Sequence, residues 1–175
     1  MRWPRWLGWA RDTEQARRVA LLARTPVFAG LSRRLLGRLA TQLFEKAYTP
    51  GDVVFREGDP GKGLFIVLEG AVAITQAAPG GDLVLRSLGP GACFGELALI
   101  DDLPRSATAR VTAPSRLLIL YRTDFEALVE GSPGIARVVL RNLLRTLATY
   151  VRRTNAADSH GAVAPAADPR SPGTP

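Results

Sequence analysis

The sequence predicts an α+β fold that is mainly β, with a region of short strands between helical segments. Two observations lead to this prediction. From residue 47 to residue 121, short apolar runs alternate with turns rich in Gly and Pro, a pattern typical of a β-sandwich or barrel. On either side of this region, apolar residues recur at steps of three and four, the period of an amphipathic helix. The periodicity alone leaves sandwich, jelly roll and barrel open.

The chain begins with a basic segment that carries three tryptophans at intervals of three, Trp3, Trp6 and Trp9. On a helix these side chains would share one broad face, which suits contact with a membrane surface or with a partner protein. The alternative is a terminal segment whose tryptophans cover the surface of the chain's own domain. A helical pattern follows and ends before Pro26, so residues 1–24 are predicted as a distinct N-terminal segment and helix.

A further helix and a set of strands are predicted next. The helix begins with Ser32 as its N-cap and extends to about Glu45, because five apolar side chains between them would form one face. Strands are predicted near residues 53–56, 64–69, 71–76, 83–88, 107–112 and 116–121.

Two more helices are predicted after the strands. Thr123 and Glu126 form a capping-box pattern at the start of the first, and Ser132 followed by Pro133 begins the second. The second helix has an apolar stripe wide enough to lie on the sheet and also against a second copy of the chain. That stripe consists of Ala136, Leu140, Leu143, Leu147 and Tyr150. Residues 154–175 are rich in Ala, Pro, Ser and Gly and are predicted to be a disordered tail.

The composition limits the chemistry that the chain can perform. The net charge of +7 resides in the two flanks, where Arg-rich segments could meet an acidic partner, while residues 25–131 are close to neutral. The single cysteine, Cys93, excludes an internal disulfide and is predicted as a small core residue, with a redox-sensing thiol as the alternative. The single histidine, His160, leaves little for a haem or metal site, so no metal or redox cofactor is expected.

The location of the protein is predicted from two features that the sequence lacks. No apolar run reaches the length that crosses a membrane. The first residues are interrupted by Arg and Pro and do not form the apolar core of a secretory signal. A cytoplasmic location is therefore expected.

The stretch over residues 94–109, FGELALIDDLPRSATA, carries the most specific chemistry. A short helix start follows Gly95, and a helix N-terminus offers free backbone N–H groups that attract anions. Arg105 adds a planar, permanently charged fork that fits a phosphate bidentately. Glu96 has the wrong sign for a phosphate, but it suits a ligand with a hydroxyl donor beside the phosphate. A ribose phosphate meets both requirements.

This stretch resembles the phosphate-binding cassette of the cyclic nucleotide-binding domain family, and the resemblance extends over residues 25–153. The family includes bacterial catabolite activators, regulatory subunits of cAMP-dependent protein kinase and cyclic nucleotide-gated channels. The resemblance implies an eight-stranded β-roll, or jelly roll, with flanking N-terminal helices, a short cassette helix and C-terminal lid helices. Gly58, Gly61 and Gly70 match glycines that the family uses at tight turns, where a positive φ is expected.

The resemblance also implies which residues hold the ligand. Glu96 would accept a hydrogen bond from the ribose 2′-hydroxyl, and Arg105 would pair with the cyclic phosphate. Gly95, Leu97 and Ala98 would contribute backbone groups, and Ser106 would contact the phosphate. Tyr150 lies near the point where the lid helix would reach the base, on which it could stack. The alternative for Tyr150 is a tyrosine at the end of a core stripe.

The predicted function is binding of a cyclic purine nucleotide, with cAMP favoured over cGMP because Ser106 follows the arginine. In the family, Ala or Ser at that position goes mostly with cAMP, whereas Thr favours cGMP through the guanine amino group, and Ser could serve either nucleotide. The chain would act as a non-catalytic sensor, not an enzyme, and would signal through its C-terminal helices to an unidentified protein effector.

The alternative is a ligand-free structural or dimerisation module of the same fold, in which Glu96 and Arg105 pair with each other. Dimerisation would use the last helix. The sequence leaves no room for a helix-turn-helix after that helix, so no DNA-binding domain is expected.

Overall fold

The computed structural model describes the backbone of residues 6–161 and the side chains of residues 13–152. The chain forms two compact units, Met1–Leu143 and Leu144–Pro175. The described helices and strands are, in chain order, α1 Trp6–Arg24, α2 Arg33–Ala40, β1 Phe44–Tyr48, β2 Val53–Phe55, β3 Gly63–Ala78, β4 Gly81–Leu88, β5 Cys93–Phe94, β6 Thr108–Tyr121, α3 Arg122–Glu130 and α4 Pro133–Gly161. Two short 3-10 turns, Pro26–Phe28 and Glu96–Leu99, complete them.

The strands form an antiparallel sheet in the order β1-β6-β3-β4, with β2 paired to β6 and β5 paired to β3. The predicted mainly β fold with flanking helices is confirmed. Strands β3 and β6 each join two predicted strands without a break, and register shifts around Glu69 and Ala71 mark the junction in β3. Gly70 lies at this junction with a φ of +86°. The described part of the chain forms six strands, and counting the two halves of β3 and of β6 separately gives the eight that the β-roll implies.

The prediction that the helix beginning at Ser32 extends to about Glu45 is wrong. Helix α2 begins after Ser32, whose side chain accepts from the Leu35 N–H as predicted, but it ends at Ala40. Residues 44–48 instead form β1 and pair with residues 115–119 of β6. The backbone pairing with β6 outweighs the helical spacing of the apolar residues, and it leaves Phe44 54% exposed.

The capping box predicted at Thr123 is also wrong. Helix α3 begins one residue earlier, at Arg122, and Tyr121 stands at the N-cap without a side-chain cap. The strand runs directly into the helix, which leaves no residue between them for a capping side chain. The start of α4 at Pro133 agrees with the sequence, and its end at Gly161 lies beyond residue 153, where the helix was expected to stop. The remaining tail and the first five residues lie outside the described residues.

The inner face of α4 differs from the predicted stripe. Ile135, Val139 and Leu143 are buried in the core, whereas Leu140 is 44% exposed. The residues that face the core, Ile135 and Val139, each precede by one position the predicted residues Ala136 and Leu140. Leu143 belongs to both the predicted and the observed row.

A buried amide fixes α4 against the first 3-10 turn. The Nδ2 of Asn142 donates to the carbonyl oxygens of Val27 at 3.1 Å and Ala29 at 2.9 Å. Both carbonyls belong to the connection between α1 and α2. The beginning of α4 is thereby attached to the N-terminal helices by hydrogen bonds as well as by apolar packing.

Two apolar clusters lie on the sheet. The larger one fills the space between the helices and residues such as Leu64, Ile66 and Leu118. The smaller one lies within the roll and includes Val72, Val111 and, at its margin, Phe55, Phe65 and Ile74. The candidate site adjoins this smaller cluster through Phe94. None of the described helices is long and apolar enough to cross a membrane.

Candidate functional site

The predicted cassette is built on a glycine that turns the chain from β5 into the 3-10 turn Glu96–Leu99. Gly95 has a φ of +71°, a left-handed conformation that other residues adopt only at a cost. A side chain here would also overlap the Nη1 atom of Arg105. Gly95 is therefore required both for the turn and for the close approach of the guanidinium.

Main-chain hydrogen bonds hold Arg105 opposite this turn. Its N–H donates to the carbonyl of Asp59 at 2.9 Å, and its carbonyl accepts from Gly58 N–H at 2.9 Å. Pro60 and Pro104 form an isolated antiparallel bridge next to these bonds. The backbone of the arginine is thus fixed to the turn that precedes β3, and Gly58 adopts the predicted positive φ there, at +84°.

The Arg105 side chain is buried, with 8% of its surface exposed. Its Nη1 donates to the Gly95 carbonyl at 2.9 Å, and its Nη2 donates to the Gly63 carbonyl at 2.8 Å. Its Nε is buried without a hydrogen-bond partner. Among the described residues, no carboxylate oxygen lies within 4.0 Å of its side-chain nitrogens.

The electrostatics of the site follow from this burial. Desolvation lowers the pKa of Arg105, and the nearby charges of Glu96 and Asp59 act in the opposite direction, whereas Arg122 acts with desolvation. Glu96 itself is 5% exposed. A buried guanidinium remains protonated at neutral pH, so the site holds a buried cation near the buried Glu96 carboxylate, and the Nε–H of that cation has no acceptor.

Two phenylalanine rings lie next to the guanidinium, and a third ring, Phe94, packs against them. The Cζ of Arg105 is 4.1 Å from the centroid of the Phe55 ring and 5.6 Å from that of Phe65. Phe65 stacks on Phe94 with centroids 5.4 Å apart, and Phe94 directly precedes Gly95.

Gly61 has a different role from the one that the resemblance implied. Its φ is not positive, so the prediction for this residue is wrong. A Cβ at Gly61 would lie 2.7 Å from the Cβ of Ala98, well inside van der Waals contact. The missing side chain therefore allows the cassette to pack closely on the turn before β3.

Arg122, which the sequence analysis did not single out, holds the far end of the cassette. Its Nε donates to the Ala98 carbonyl at 2.6 Å and its Nη2 to the Gly61 carbonyl at 3.2 Å. The same guanidinium donates to the Asp101 carbonyl and pairs with the Asp102 carboxylate. No signal in the sequence indicated it, because the helix was predicted to begin at Thr123, which put Arg122 outside the first turn.

The predicted ligand residues fall in two parts of the chain. Leu97 is half-buried, Ala98 is buried and Ser106 is exposed. These three lie within residues 95–106 together with Gly95, Glu96 and Arg105, and of these Gly95 and Glu96 are the ones that act on the guanidinium. Tyr150 lies in the second unit, where it is half-buried, and its contact with a base stays a prediction.

Cys93 lies beside the cassette and is half-buried against the larger apolar cluster. Burial, with the nearby Glu96 carboxylate, raises the pKa of the Cys93 thiol to about 12. This favours the core interpretation over a redox-sensing thiol, because the thiolate is the reactive form. No group of three or more His, Cys, Asp or Glu that could hold a metal ion occurs within the described part of the chain.

The matches to a family profile and to known proteins agree on one family. The profile of the cyclic nucleotide-binding domain matches residues 45–132. The chain is 37% identical over 124 residues to a cyclic nucleotide-gated potassium channel of Mesorhizobium japonicum, covering 71% of this chain and 33% of the channel. It is 35% identical over 136 residues to a CRP-like cAMP-activated global transcriptional regulator of Mycobacterium tuberculosis, covering 77% and 59%.

A solved structure agrees with these relatives. The catabolite activator protein of Thermus thermophilus superimposes with a TM-score of 0.70 at 32% identity, covering 77% of this chain and 62% of that one. The chain thus spans about a third to three fifths of the length of these relatives. The matched region runs from the second residue of β1 to just past the end of α3 and contains the whole cassette. On this basis the chain belongs to the cyclic nucleotide-binding domain family.

Proposed function

We propose that the chain binds a cyclic nucleotide at the cassette and acts as a non-catalytic sensor. The observation that carries this proposal is the state of Arg105. Its guanidinium is buried, lacks a carboxylate within ion-pair distance, and has a buried Nε without a hydrogen-bond partner. A buried cation in this state is costly unless an anion compensates it, and a cyclic phosphate would supply one.

The remaining predicted residues fit the other parts of such a ligand. Glu96 would accept a hydrogen bond from the ribose 2′-hydroxyl, and Gly95, Leu97 and Ala98 would contribute backbone groups. Ser106, which is exposed beside Arg105, would add a hydroxyl contact to the phosphate. The ligand-free alternative, in which Glu96 and Arg105 form an ion pair, receives less support from an Arg105 without such a pair.

We propose cAMP as the preferred ligand. Ser106 supports this choice through the family resemblance, and the name of the Mycobacterium tuberculosis relative identifies that protein as cAMP-activated. Tyr150 is proposed to stack on the purine. The cytoplasmic location expected from the sequence is part of the same proposal.

The sensor is proposed to signal through its C-terminal helices to a separate protein effector. Ligand binding would shift the equilibrium between two conformations of α3 and α4. The size of that shift is limited by the difference in the ligand's affinity for the two conformations. Spectra of labels on α4 that stay unchanged at saturating ligand would exclude this step.

A homodimer through α4 is part of the proposal, supported by the exposure of Leu140, Leu144 and Val151. Membrane contact through Trp3, Trp6 and Trp9 rests on the sequence alone.

Calorimetric titration of the full chain with cAMP and with cGMP tests nucleotide binding. Wild type is expected to bind, with cAMP the tighter ligand. Removing one partner of a buried charge pair costs about 3–5 kcal/mol. Arg105→Ala should therefore weaken binding by roughly two to three and a half decades.

Arg110→Ala is the matched control, because Arg110 lies five residues further along the chain, on β6, and donates to the Gly51 carbonyl at 3.2 Å, away from the cassette. This variant should bind like wild type. Folded wild type that gives no heat with either nucleotide would reject the proposal in favour of the ligand-free module. Undiminished binding by Arg105→Ala would place the site elsewhere.

A further inference from the structure

We propose that Phe55 is the positioning residue that holds the Arg105 guanidinium ready for an anion, an inference that rests on the proposed nucleotide binding. Phe55 is the last residue of β2 and lies outside the segment that carries the predicted ligand contacts. Its ring centroid is 4.1 Å from the Cζ of Arg105, nearer than that of Phe65 at 5.6 Å. This separation is within the range of a cation–π contact.

The Phe55 ring and the carbonyls of Gly95 and Gly63 together fix the orientation of the guanidinium. The hydrogen bonds to Gly95 and Gly63 fix the two terminal nitrogens. In addition to those bonds, the Phe55 ring lies over the guanidinium at a distance at which aromatic faces attract a planar cation. Because the side chain is held by the carbonyls and by the ring, the unpartnered Nε keeps a fixed position.

The ring also compensates for lost hydration. Burial removes water from the guanidinium and lowers the pKa of Arg105. The negative face of an aromatic ring attracts a cation most strongly where water is excluded, and an aliphatic side chain of similar size lacks this quadrupole. Phe55 thus stabilises the charged group without occupying any of its N–H donors, so Nε–H and the N–H groups that do not donate to Gly95 and Gly63 stay available for an anion.

Phe55 is itself held by two neighbouring rings. Its centroid lies 5.6 Å from that of Phe65 and 5.9 Å from that of Phe94, with interplanar angles of 47° and 41°. These separations are typical of attractive aromatic pairs. Since Phe94 directly precedes Gly95, the rings that support the guanidinium also support the start of the cassette.

The consequence is a measurable effect on affinity. Without the ring, Arg105 gains rotamers in the free protein that ligand binding must then restrict. Ordering one long side chain costs enough to reduce affinity about three- to tenfold. We therefore expect Phe55→Leu to weaken cAMP binding about three- to tenfold, and Phe55→Tyr, which keeps the ring, to stay within about twofold of wild type.

The experiment measures two quantities on the full chain. Calorimetry gives the cAMP affinity of wild type, Phe55→Leu, Phe55→Tyr and the control Phe44→Leu, which removes an exposed aromatic ring on β1. Nitrogen-15 NMR of the ligand-free protein gives the Arg105 Nε–H signal, assigned by its loss in Arg105→Lys. A nearby ring shifts that signal, so Phe55→Leu should move it and speed its exchange with water, whereas Phe55→Tyr and Phe44→Leu should leave it in place.

The outcomes separate this inference from the proposed function. Wild type without affinity for either nucleotide would overturn the function, while the NMR signal would still report whether Phe55 orders the arginine. Wild-type binding with Phe55→Leu within twofold of it would overturn the positioning role. Weaker binding by Phe55→Leu with an unmoved Nε–H signal would also overturn it, because the effect would then not pass through Arg105.

Discussion

Replacing Arg122 by methionine tests how the far end of the cassette is held. Methionine keeps the apolar stem of the side chain and removes the guanidinium, which donates to the carbonyls of Ala98, Gly61 and Asp101. It also breaks the ion pair with Asp102. Because these groups lie on separate segments, their common donor joins the cassette to the first turn of α3.

The size of the effect follows from which of these groups water can reach. A hydrogen bond to a charged group contributes about 1.5–3 kcal/mol when it is buried, and Ala98 is buried whereas Gly61 and Asp101 are half-buried. If the bond to Ala98 counts in full and the bonds to Gly61 and Asp101 count in part, Arg122→Met should lower the free energy of unfolding by about 2–4 kcal/mol. For a chain of this length the melting temperature should fall by roughly 5–15 °C.

Asp102→Asn is the matched control for the same contact. The Asp102 side chain is 96% exposed, against 19% for Arg122, so solvent screens this ion pair and it contributes below about 1 kcal/mol. Urea and thermal unfolding of both variants give the comparison directly. Equal losses in the two variants would refute the reasoning, since the ion pair and not the carbonyl bonds would then hold the loop.

Two further predictions use other features of the structure. Gly70→Ala should cost about 2–5 kcal/mol, because a methyl would overlap Pro114 and Ser115, whereas Gly91→Ala, with nearly the same φ and open space, should cost about 1–2 kcal/mol in urea unfolding. At pH 9 the Cys93 thiol in folded protein should alkylate about five-hundredfold more slowly than in unfolded protein. The unfolded chain releases that proton first, so stability should fall as pH rises from 9.0 toward about 12.

The fold could be predicted where one side chain decides the local structure. Ser32 begins α2 and Pro133 begins α4, because a cap and a fixed φ act within a few residues. Strand β1 was missed because its pairing with residues 115–119 depends on a distant part of the chain. Its exposed Phe44 also continued the apolar spacing of the preceding helix.

The same distinction applies to the site. Glu96 and Arg105 stand out in the sequence, because a guanidinium opposite a helix start suits a phosphate and a carboxylate between them suits a hydroxyl donor beside it. Arg122 and Phe55 did not stand out. Arg122 binds main-chain carbonyls, which every residue possesses, and Phe55 acts through the face of a ring that the sequence also offers as ordinary core.

The amide of Asn142 has a mechanical consequence for any motion of the helices. A helix that slides by one residue carries its side chains 1.5 Å along the axis and about 100° around it. Either movement would break both bonds from Nδ2 to Val27 and Ala29. While both bonds are intact, the first turns of α4 and the connection between α1 and α2 should move together, so a probe on either should register the displacement of the other.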